Sequence, residues 1–526
     1  MGSTLQMKSG TGTADAPLVT GEPIVKLLAF TDQPFGISVA SARTCYSPTL
    51  RFASESTPEQ RERIGKSIYE AGHHTPFQHP TFVFGLENVS RQFVWSFLHS
   101  HPFYNSEQSS QRYVVLHEAK VHVPPLSGEA RSVYEQAVLQ AWRAYADLSR
   151  ILDRDTRRIQ APLSRIKGQN EKQIAKEAEK KAIETARYVV PVAAFTSMYH
   201  TVSGIELKRY VRMANSGDCP TETRAIVAKM ADEVRRVDPD FFLVGDDALP
   251  EGDVVENRAI VPPDPEFAAR FDRELGEGCA KLVAFDPNAE TILAQAVREV
   301  LGASPAELSD DAALALALDP AKNPHLLDTL NAWTHSPILR ALSHVNYTFR
   351  KKISHAADSQ DQRHRTVPAS RPLLTRVHTR EPDYITPEIV ARNPEAKRVY
   401  DATMRALWDA KNRLLDLGVP AEFACYLLPN ATAVRYTQTG SLLHLLHKWR
   451  MRTCFLAQME IYQASMEEIA QVAAVHPRLT SHIGPPCYFR KGFASLHKEL
   501  EGPCPEGPRW CGIRVWNNFP KVRRPI

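Results

Sequence analysis

Arg363, His364 and Arg365 place two guanidiniums and an imidazole in consecutive positions, with Gln360 three residues before them. Each Arg offers a planar fork of donors that matches a phosphate, so the trio is a candidate anion-binding group. Pro368, Ser370 and Pro372 follow closely, and such turn residues argue against a core position. A solvated basic face carries the same residue types, so the surroundings decide between the two. Downstream, Arg452 closes the run Leu445-Leu446-His447-Lys448-Trp449-Arg450-Met451-Arg452, ahead of Ala457-Gln458-Met459-Glu460. The first half of the chain offers Ser110-Gln111-Arg112-Tyr113 and Ala186-Arg187-Tyr188.

The elements that must position these groups come in two sets. Lys26-Leu27-Leu28-Ala29-Phe30 is short, apolar and followed by Thr31-Asp32-Gln33-Pro34, which predicts a buried strand. Lys281-Leu282-Val283-Ala284-Phe285, followed by Asp286-Pro287-Asn288, repeats the phrase. Helical stretches follow at 36–42 and 290–301. Later, Ala186-Arg187-Tyr188-Val189-Val190-Pro191 is answered by Ala424-Cys425-Tyr426-Leu427-Leu428-Pro429. Self-similarity on this scale predicts duplication of a whole domain. Further helices are expected over 129–152, 170–187, 206–214, 221–237, 387–417, 440–452 and 455–474. The organisation read from these signals is a disordered tail (1–20), a first repeat (21–250), a Pro-rich acidic linker (251–266) and a second repeat with a Cys-containing tail (267–526).

At 526 residues the chain exceeds a single core. Apolar content of 43% and charged content of 24% fit a soluble globular protein. Basic and acidic residues nearly balance, 64 against 60, so neither nucleic acid nor a membrane is an expected partner and any anion site must be local. No apolar run reaches the roughly 18 residues a spanning helix needs. The first residues lack the apolar centre of a secretory signal, and eight Cys suit reduced thiols, so a cytoplasmic location is expected.

These segments resemble the flavin-dependent thymidylate synthase family. Its pattern is R-H-R-x-x-S-x-x-x-x-S-x-R-Y, preceded by S-R and by G-H-x-S/T-P-x-E-H-x-x-F-x-F. The second half carries His335-Ser336-Pro337, Ser343-His344-Val345-Asn346-Tyr347-Thr348-Phe349, Ser354 and the R-H-R. The first half carries Gly72-His73-His74-Thr75-Pro76-Phe77-Gln78-His79, Phe82, Phe84 and Ser90-Arg91. The resemblance implies an α+β fold in two tandem copies, each a sheet with long helices. It implies reductive methylation of dUMP to dTMP with FAD as cofactor, NADPH and methylenetetrahydrofolate as co-substrates, and no nucleophilic cysteine. It assigns Gln360, Arg363, Ser110, Arg112, Tyr113, Arg187 and Arg452 to the nucleotide, with Arg363, Ser110 and Arg452 nearest the chemistry. It assigns His73, Thr75, Arg363, His364, Arg365, Cys45 and His447 to the flavin.

Neither copy holds the whole pattern. In the first, R-H-R has become roughly His99-Ser100-His101, and Ala214 stands where the second has Arg452. The second lacks S-x-R-Y, leaving Ser370-Arg371-Pro372 at shorter spacing, and has Cys425 in the place of Arg187. Each copy keeps what the other has lost. The expectation is one composite site shared between the repeats, in a homodimer that imitates the family's tetramer. Gln78 replaces the family's Glu, and Ser203/Ile205 and Ser441/Leu443 replace its N-x-R flavin contacts. Two other readings stay open: a degenerate nucleotide- or flavin-binding protein without turnover, and the same chemistry on another pyrimidine nucleotide. His73, His74, His79, His99 and His101 invite a metal reading, which is not adopted. Cys487, His497, Cys504 and Cys511 could hold a structural zinc, but free or buried thiols are the simpler reading, so no metal is assigned.

Overall fold

The structure is a computed structural model that describes residues 18–258, 261–491 and 503–526. Each half of the chain builds a four-stranded antiparallel sheet. A two-residue strand β1 (Leu18–Val19) pairs in parallel with β5 (Ala119–Lys120) beside the first sheet. That sheet has the order β2-β3-β6-β4, from Ile24–Phe30 (β2), Thr81–Ser90 (β3), Tyr104–Gln108 (β4) and Phe195–Ser203 (β6). The second has the order β7-β8-β10-β9, from Ala280–Phe285 (β7), Asn346–Ser354 (β8), Ala369–Ser370 (β9) and Ala433–Ser441 (β10). The order matches strand for strand. So does one irregularity: the register slips between Leu27 and Ala29 in β2 and between Leu282 and Ala284 in β7. A bulge re-aims the strand that carries it, and its repetition marks the halves as copies of one unit.

Helices α1 (Pro34–Thr44) and α7 (Ala289–Leu301) follow the first strand of each sheet. The central strands run straight into short helices, and the same residue type makes both transitions. Ser90 ends β3 and caps α2 (Arg91–Leu98) by accepting from Phe93 N, as Ser354 ends β8 and caps α8 (His355–Asp361) by accepting from Ala357 N. The first copy then inserts a helical hairpin, α3 (Gly128–Ile166) and α4 (Glu171–Ala186), with an Asn170/Gln173 capping box at the second start. Helix α9 (Pro394–Asp416) of the second copy packs along α3, where Asn393 donates to Asp155 at 2.6 Å. The remaining helices that matter here are α5 (Gly204–Arg212), α6 (Pro220–Val237), α10 (Leu442–Arg452) and α11 (Met459–Val475).

The copies meet at Pro191 and Pro429, which form an antiparallel bridge. Val192 N donates to Leu428 O at 2.8 Å and Asn430 N to Val190 O at 2.9 Å. Equivalent residues paired antiparallel put a pseudo-twofold axis through the joint. Tyr188, Val190 and Val192 share one continuous buried cluster with Tyr400, Trp408, Tyr426 and Leu428, so the core runs across the joint.

Several expectations are corrected. The strands at 26–30 and 281–285 are edge strands, not buried ones. Leu28 and Phe30 are 46% and 43% exposed, and Val283 and Phe285 are 45% and 41% exposed. The helix expected over 129–152 continues to Ile166, carrying Pro162 inside it. The stretch 387–417 is broken at Asn393, which starts a new helix with Pro394 in its first turn. Residues 440–441 end β10, so α10 begins at Leu442. The tail expected over 1–20 ends earlier, since Leu18 and Val19 form β1; its first 17 residues lie outside the described ones.

Candidate active site

Two carboxylates tie the copies together in mirror fashion. Glu222 on α6 accepts from Ser90 N at 2.8 Å, Ser90 Oγ at 2.6 Å and, across the joint, Tyr426 OH at 2.6 Å. Glu460 on α11 accepts from Ser354 N at 2.5 Å, Ser354 Oγ at 2.6 Å and, across the joint, Tyr188 OH. Burial raises the Glu460 carboxyl.

Around Glu460 the structure gathers cations from both copies. Arg187 sits just before Tyr188 and donates through Nη2 to Gln458 Oε1 at 2.8 Å. Gln360, on the last turn of α8, donates to the same oxygen. Arg452, at the end of α10, donates through Nη2 to Gln360 O at 2.8 Å and through Nε to His364 Nε2 at 2.9 Å. Arg112 donates to Glu184 Oε2 at 2.5 Å and to Leu456 O of the other copy at 2.8 Å. Arg363 is exposed and lies 3.9 Å from Glu107, while Arg365 donates to Asn105 Oδ1 at 3.1 Å with its guanidinium over the Tyr104 ring.

The electrostatics record an excess of positive charge. Burial and the charges of Arg187 and Arg363 pull Arg91 down to about 9. Burial, with Arg112 and Arg363 nearby, pulls Arg452 down to about 10. Burial would raise Glu184, yet Lys181 and Arg112 hold it at about 2, so it is the charged partner of Arg112. His364 is pushed well below its ordinary value, first by burial and then by Arg452. It is therefore neutral and free to accept from Arg452. Buried polar atoms without protein partners cluster here too: Arg91 Nε, Arg187 Nε, Gln111 Nε2 and Gln360 Oε1. Groups of this kind are expensive to leave unsatisfied and mark a site for a polar ligand. A cavity of about 340 Å³ lined by Arg91, Ser110, Gln111 and Trp142 opens on this region. A second, of about 400 Å³, is lined by Glu184, Tyr188 and Gln458 and reaches Pro387 and Ile526.

A family model described as thymidylate synthase complementing protein matches residues 26–240 and again 281–478. The chain belongs to that family, in two copies. Among relatives, the flavin-dependent thymidylate synthase of Clostridium tetani is 30% identical over 223 residues, spanning 41% of this chain and 84% of that protein. That of Geobacter sulfurreducens is 33% identical over 189 residues, 35% of this chain and 75% of the relative. That of Nitratidesulfovibrio vulgaris is 28% identical over 233 residues, 42% and 86% respectively. Single relatives thus span about as much as one copy.

For this member of the thymidylate synthase complementing family, the residues named from sequence fall into two groups. Gln360, Arg363, His364, Arg365, Arg452, Arg112 and Arg187 converge as described. Ser110 accepts from Arg112 N at 3.2 Å, and Tyr113 lies against the Arg112 guanidinium at 5.3 Å. His447 joins them through its ring, 5.9 Å from that of His364. Cys45, His73 and Thr75 do not join them: Cys45 is exposed with its thiol against Ser41 O, and His73 and Thr75 are exposed on the turn after Glu70. The R-H-R turn fits a flavin. It presents Arg363 to solvent with one loose carboxylate contact and sets neutral His364 and His447 beside it, a surface for an anionic, planar group.

Sequence reading gave no role to Gln458, Arg91 or Glu184. Gln458 bridges Arg187 and Gln360 and donates on to Tyr188 OH; its place in A-Q-M-E was the available signal. Arg91 was visible in S-R. Glu184 lay in a charge-laced helix that read as solvated. The sheet register agrees with the loss of S-x-R-Y from the second copy and shows that Ser370-Arg371 does not stand in its place. Ser370 pairs with Thr437 as Glu107 pairs with Tyr199. That register sets Arg371 in the place of Gln108, and Thr375 in the place of Arg112.

Behind the R-H-R turn lies a buried four-charge group. Lys351 Nζ is 2.9 Å from Asp361 and 2.8 Å from Glu468, and Lys448 Nζ is 3.0 Å and 3.1 Å from the same carboxylates. Near the C-terminus, Cys487 packs with Cys504 and Cys511 in a small apolar cluster beside Phe455. Among the described residues no group of three or more metal-type side chains could hold an ion; His497 lies outside them. No helix among them is long and apolar enough to cross a membrane.

Proposed function

We propose that the chain makes dTMP from dUMP by reductive methylation, with FAD, NADPH and methylenetetrahydrofolate, at a site shared between its two copies. What supports this reading is the convergence of Arg112 and Arg187 from one copy with Gln360, Arg363 and Arg452 from the other. A nucleotide monophosphate is close to a dianion, and guanidinium forks match it. Arg112, Arg187 and Arg452 hold the phosphate. Gln360, steadied by Gln458, takes the imide edge of the uracil. Arg363 polarises the base and Ser110 lies along it. When bound, a reduced flavin supplies the hydride. His364, Arg365, Arg363 and His447 hold it, with Cys45, His73 and Thr75 contributed from a second chain across the exposed sheet faces of a homodimer. No thiol is needed as nucleophile: Cys425, in the slot equivalent to Arg187, is pushed up to about 12 by burial.

The test is turnover and binding together. The purified protein carries a flavin spectrum that NADPH bleaches, and it releases tritium from C5-labelled dUMP. Arg112→Ala and Arg363→Ala each weaken dUMP binding about ten- to a hundredfold, the worth of one charge-assisted contact. Losses confined to Arg363→Ala would reduce the first copy to a scaffold. Binding without turnover would make the chain a nucleotide-binding protein, and turnover only on another pyrimidine nucleotide would change the acceptor.

A further inference from the structure

The pseudo-twofold axis that builds one site must also build a counterpart, on the other side of the Pro191–Pro429 joint. Its residues follow from equivalences fixed above. Ser90 matches Ser354, Glu222 matches Glu460, and the sheet register matches Glu107 to Ser370. Carried along the chain, they set Ser96 for Gln360, His99 for Arg363, Ala214 for Arg452, Cys425 for Arg187 and Thr375 for Arg112. Every cation of the first site is lost in the second.

What fills the counterpart is the protein itself. Thr375 donates through N and Oγ1 to Asp218 Oδ1, at 3.1 and 3.3 Å. Asp218 holds the position equivalent to Leu456, the residue Arg112 reaches in the first site. Asp218 N donates in turn to Ser96 Oγ at 3.2 Å. Cys425 Sγ lies against Leu374 O. One guanidinium, Arg371, is close by; it lies over the Tyr436 ring and gives both of its hydrogen bonds to the buried Asp358, at 2.6 and 2.9 Å. Trp95 Nε1 of the other copy donates to the same carboxylate at 2.7 Å. A phosphate entering here meets two carboxylates, and the nearby guanidinium is already committed. Both carboxylates are buried, Asp358 bonded through both oxygens and Asp218 through Oδ1, so the region is a joint, not an opening.

Resting on the proposed function, we infer that each chain binds one nucleotide, at the Arg112–Arg187–Arg363–Arg452 cluster, and that the pseudo-symmetric counterpart is a structural joint closed by Asp358 and Asp218. A pair of chains then carries two nucleotide sites where a tetramer of single-copy subunits carries four equivalent positions.

The experiment is equilibrium titration of the flavin-loaded full chain with dUMP, with active protein counted by flavin absorbance. The expected stoichiometry is one dUMP per chain. Arg363→Ala shifts that single class at least tenfold weaker and uncovers no second one. Asp218→Asn and Thr375→Val leave stoichiometry and affinity at the parent values. Two dUMP per chain overturns the inference while leaving the functional reading in place; one that persists unchanged in Arg363→Ala and weakens in Thr375→Val overturns the inference and the assignment of the site to Arg363 together. No dUMP bound by the folded parent chain overturns the functional reading and this inference with it.

Discussion

The same interior position is filled in two ways in the two copies. In the second it holds Lys351, Asp361, Lys448 and Glu468, all fully buried and paired crosswise. Tyr436 OH donates to Asp361 at 2.8 Å and Trp449 Nε1 to Glu468 at 2.7 Å. In the first, the equivalent places hold Leu86, Phe97, Tyr210 and Met230, buried and apolar or aromatic, with the Phe97 and Tyr210 rings 4.4 Å apart. Both fillings close the core. A buried ion group gains little over a well-packed apolar one of similar volume, because desolvation offsets the attraction. The charged filling therefore has a use other than stability. Asp361 stands two residues before Arg363, and Lys448 one turn before Arg452. Their pairing fixes the ends of α8 and α10, the two elements that present those arginines. The first copy has His99 and Ala214 in the places of those two arginines, and there the cheaper packing stands.

The largest effect expected is on that contrast. Lys448→Met strands buried carboxylates against Lys351 alone and destabilises by about 3–5 kcal/mol, whereas replacing all four charges by their first-copy equivalents is nearly neutral in urea unfolding. The four-fold variant still loses dUMP affinity. If it binds like the parent, the charged group has no role in positioning.

Next in size is a pH effect in the first copy. Burial raises Asp218 to about 7, against the bonds from Thr375. A carboxyl with a raised folded-state pKa binds its proton more tightly when folded, so stability is full below about pH 4 and falls as pH rises to about 7. Asp218→Asn removes that loss while keeping an acceptor for Thr375. Relative to the parent it gains on the order of 2–4 kcal/mol between pH 4 and pH 8. Equal differences at both pH values would show that Asp218 is not buried as described.

Smaller still, Tyr188→Phe and Tyr426→Phe each remove one hydrogen bond to a buried glutamate across the joint and cost about 1–3 kcal/mol. Tyr188→Phe also leaves Gln458 Nε2 without its acceptor, a loss Tyr426→Phe lacks because Pro220 stands in the place of Gln458, so Tyr188→Phe costs the more of the two; the reverse order breaks the comparison. Smallest is Arg154→Ala, which deletes an exposed ion pair to Glu395 between α3 and α9 and changes the melting free energy by less than about 1 kcal/mol.

Much of this was legible in the sequence. The repeated strand phrase and the answering Arg187 and Cys425 segments gave the duplication, because each carries apolar spacing with a distinctive neighbour. The complementary Arg residues could be seen by alignment of one half with the other. Depth could not. A short apolar run reads alike in a central and an edge strand, so the exposure of Leu28 and Phe285 had to come from the sheet order. Spacing and strand register agree on Thr375: counted on from Arg363 the family pattern puts its second Arg at 375, and the register puts Thr375 in the place of Arg112. The buried charges were invisible for a related reason: Lys351, Asp361, Lys448 and Glu468 are scattered through the sequence, and each alone reads as surface.

The Pro191–Pro429 joint connects parts of one covalent chain. Between separate subunits such a contact obeys mass action and comes apart on dilution. Within a chain the partner's effective concentration is set by the connecting segment, on the order of millimolar for a short flexible one, however scarce the protein is. The assembly of the joint is thus independent of how much protein is present. It also holds the two copies at a fixed one-to-one ratio, which no exchange of subunits can disturb.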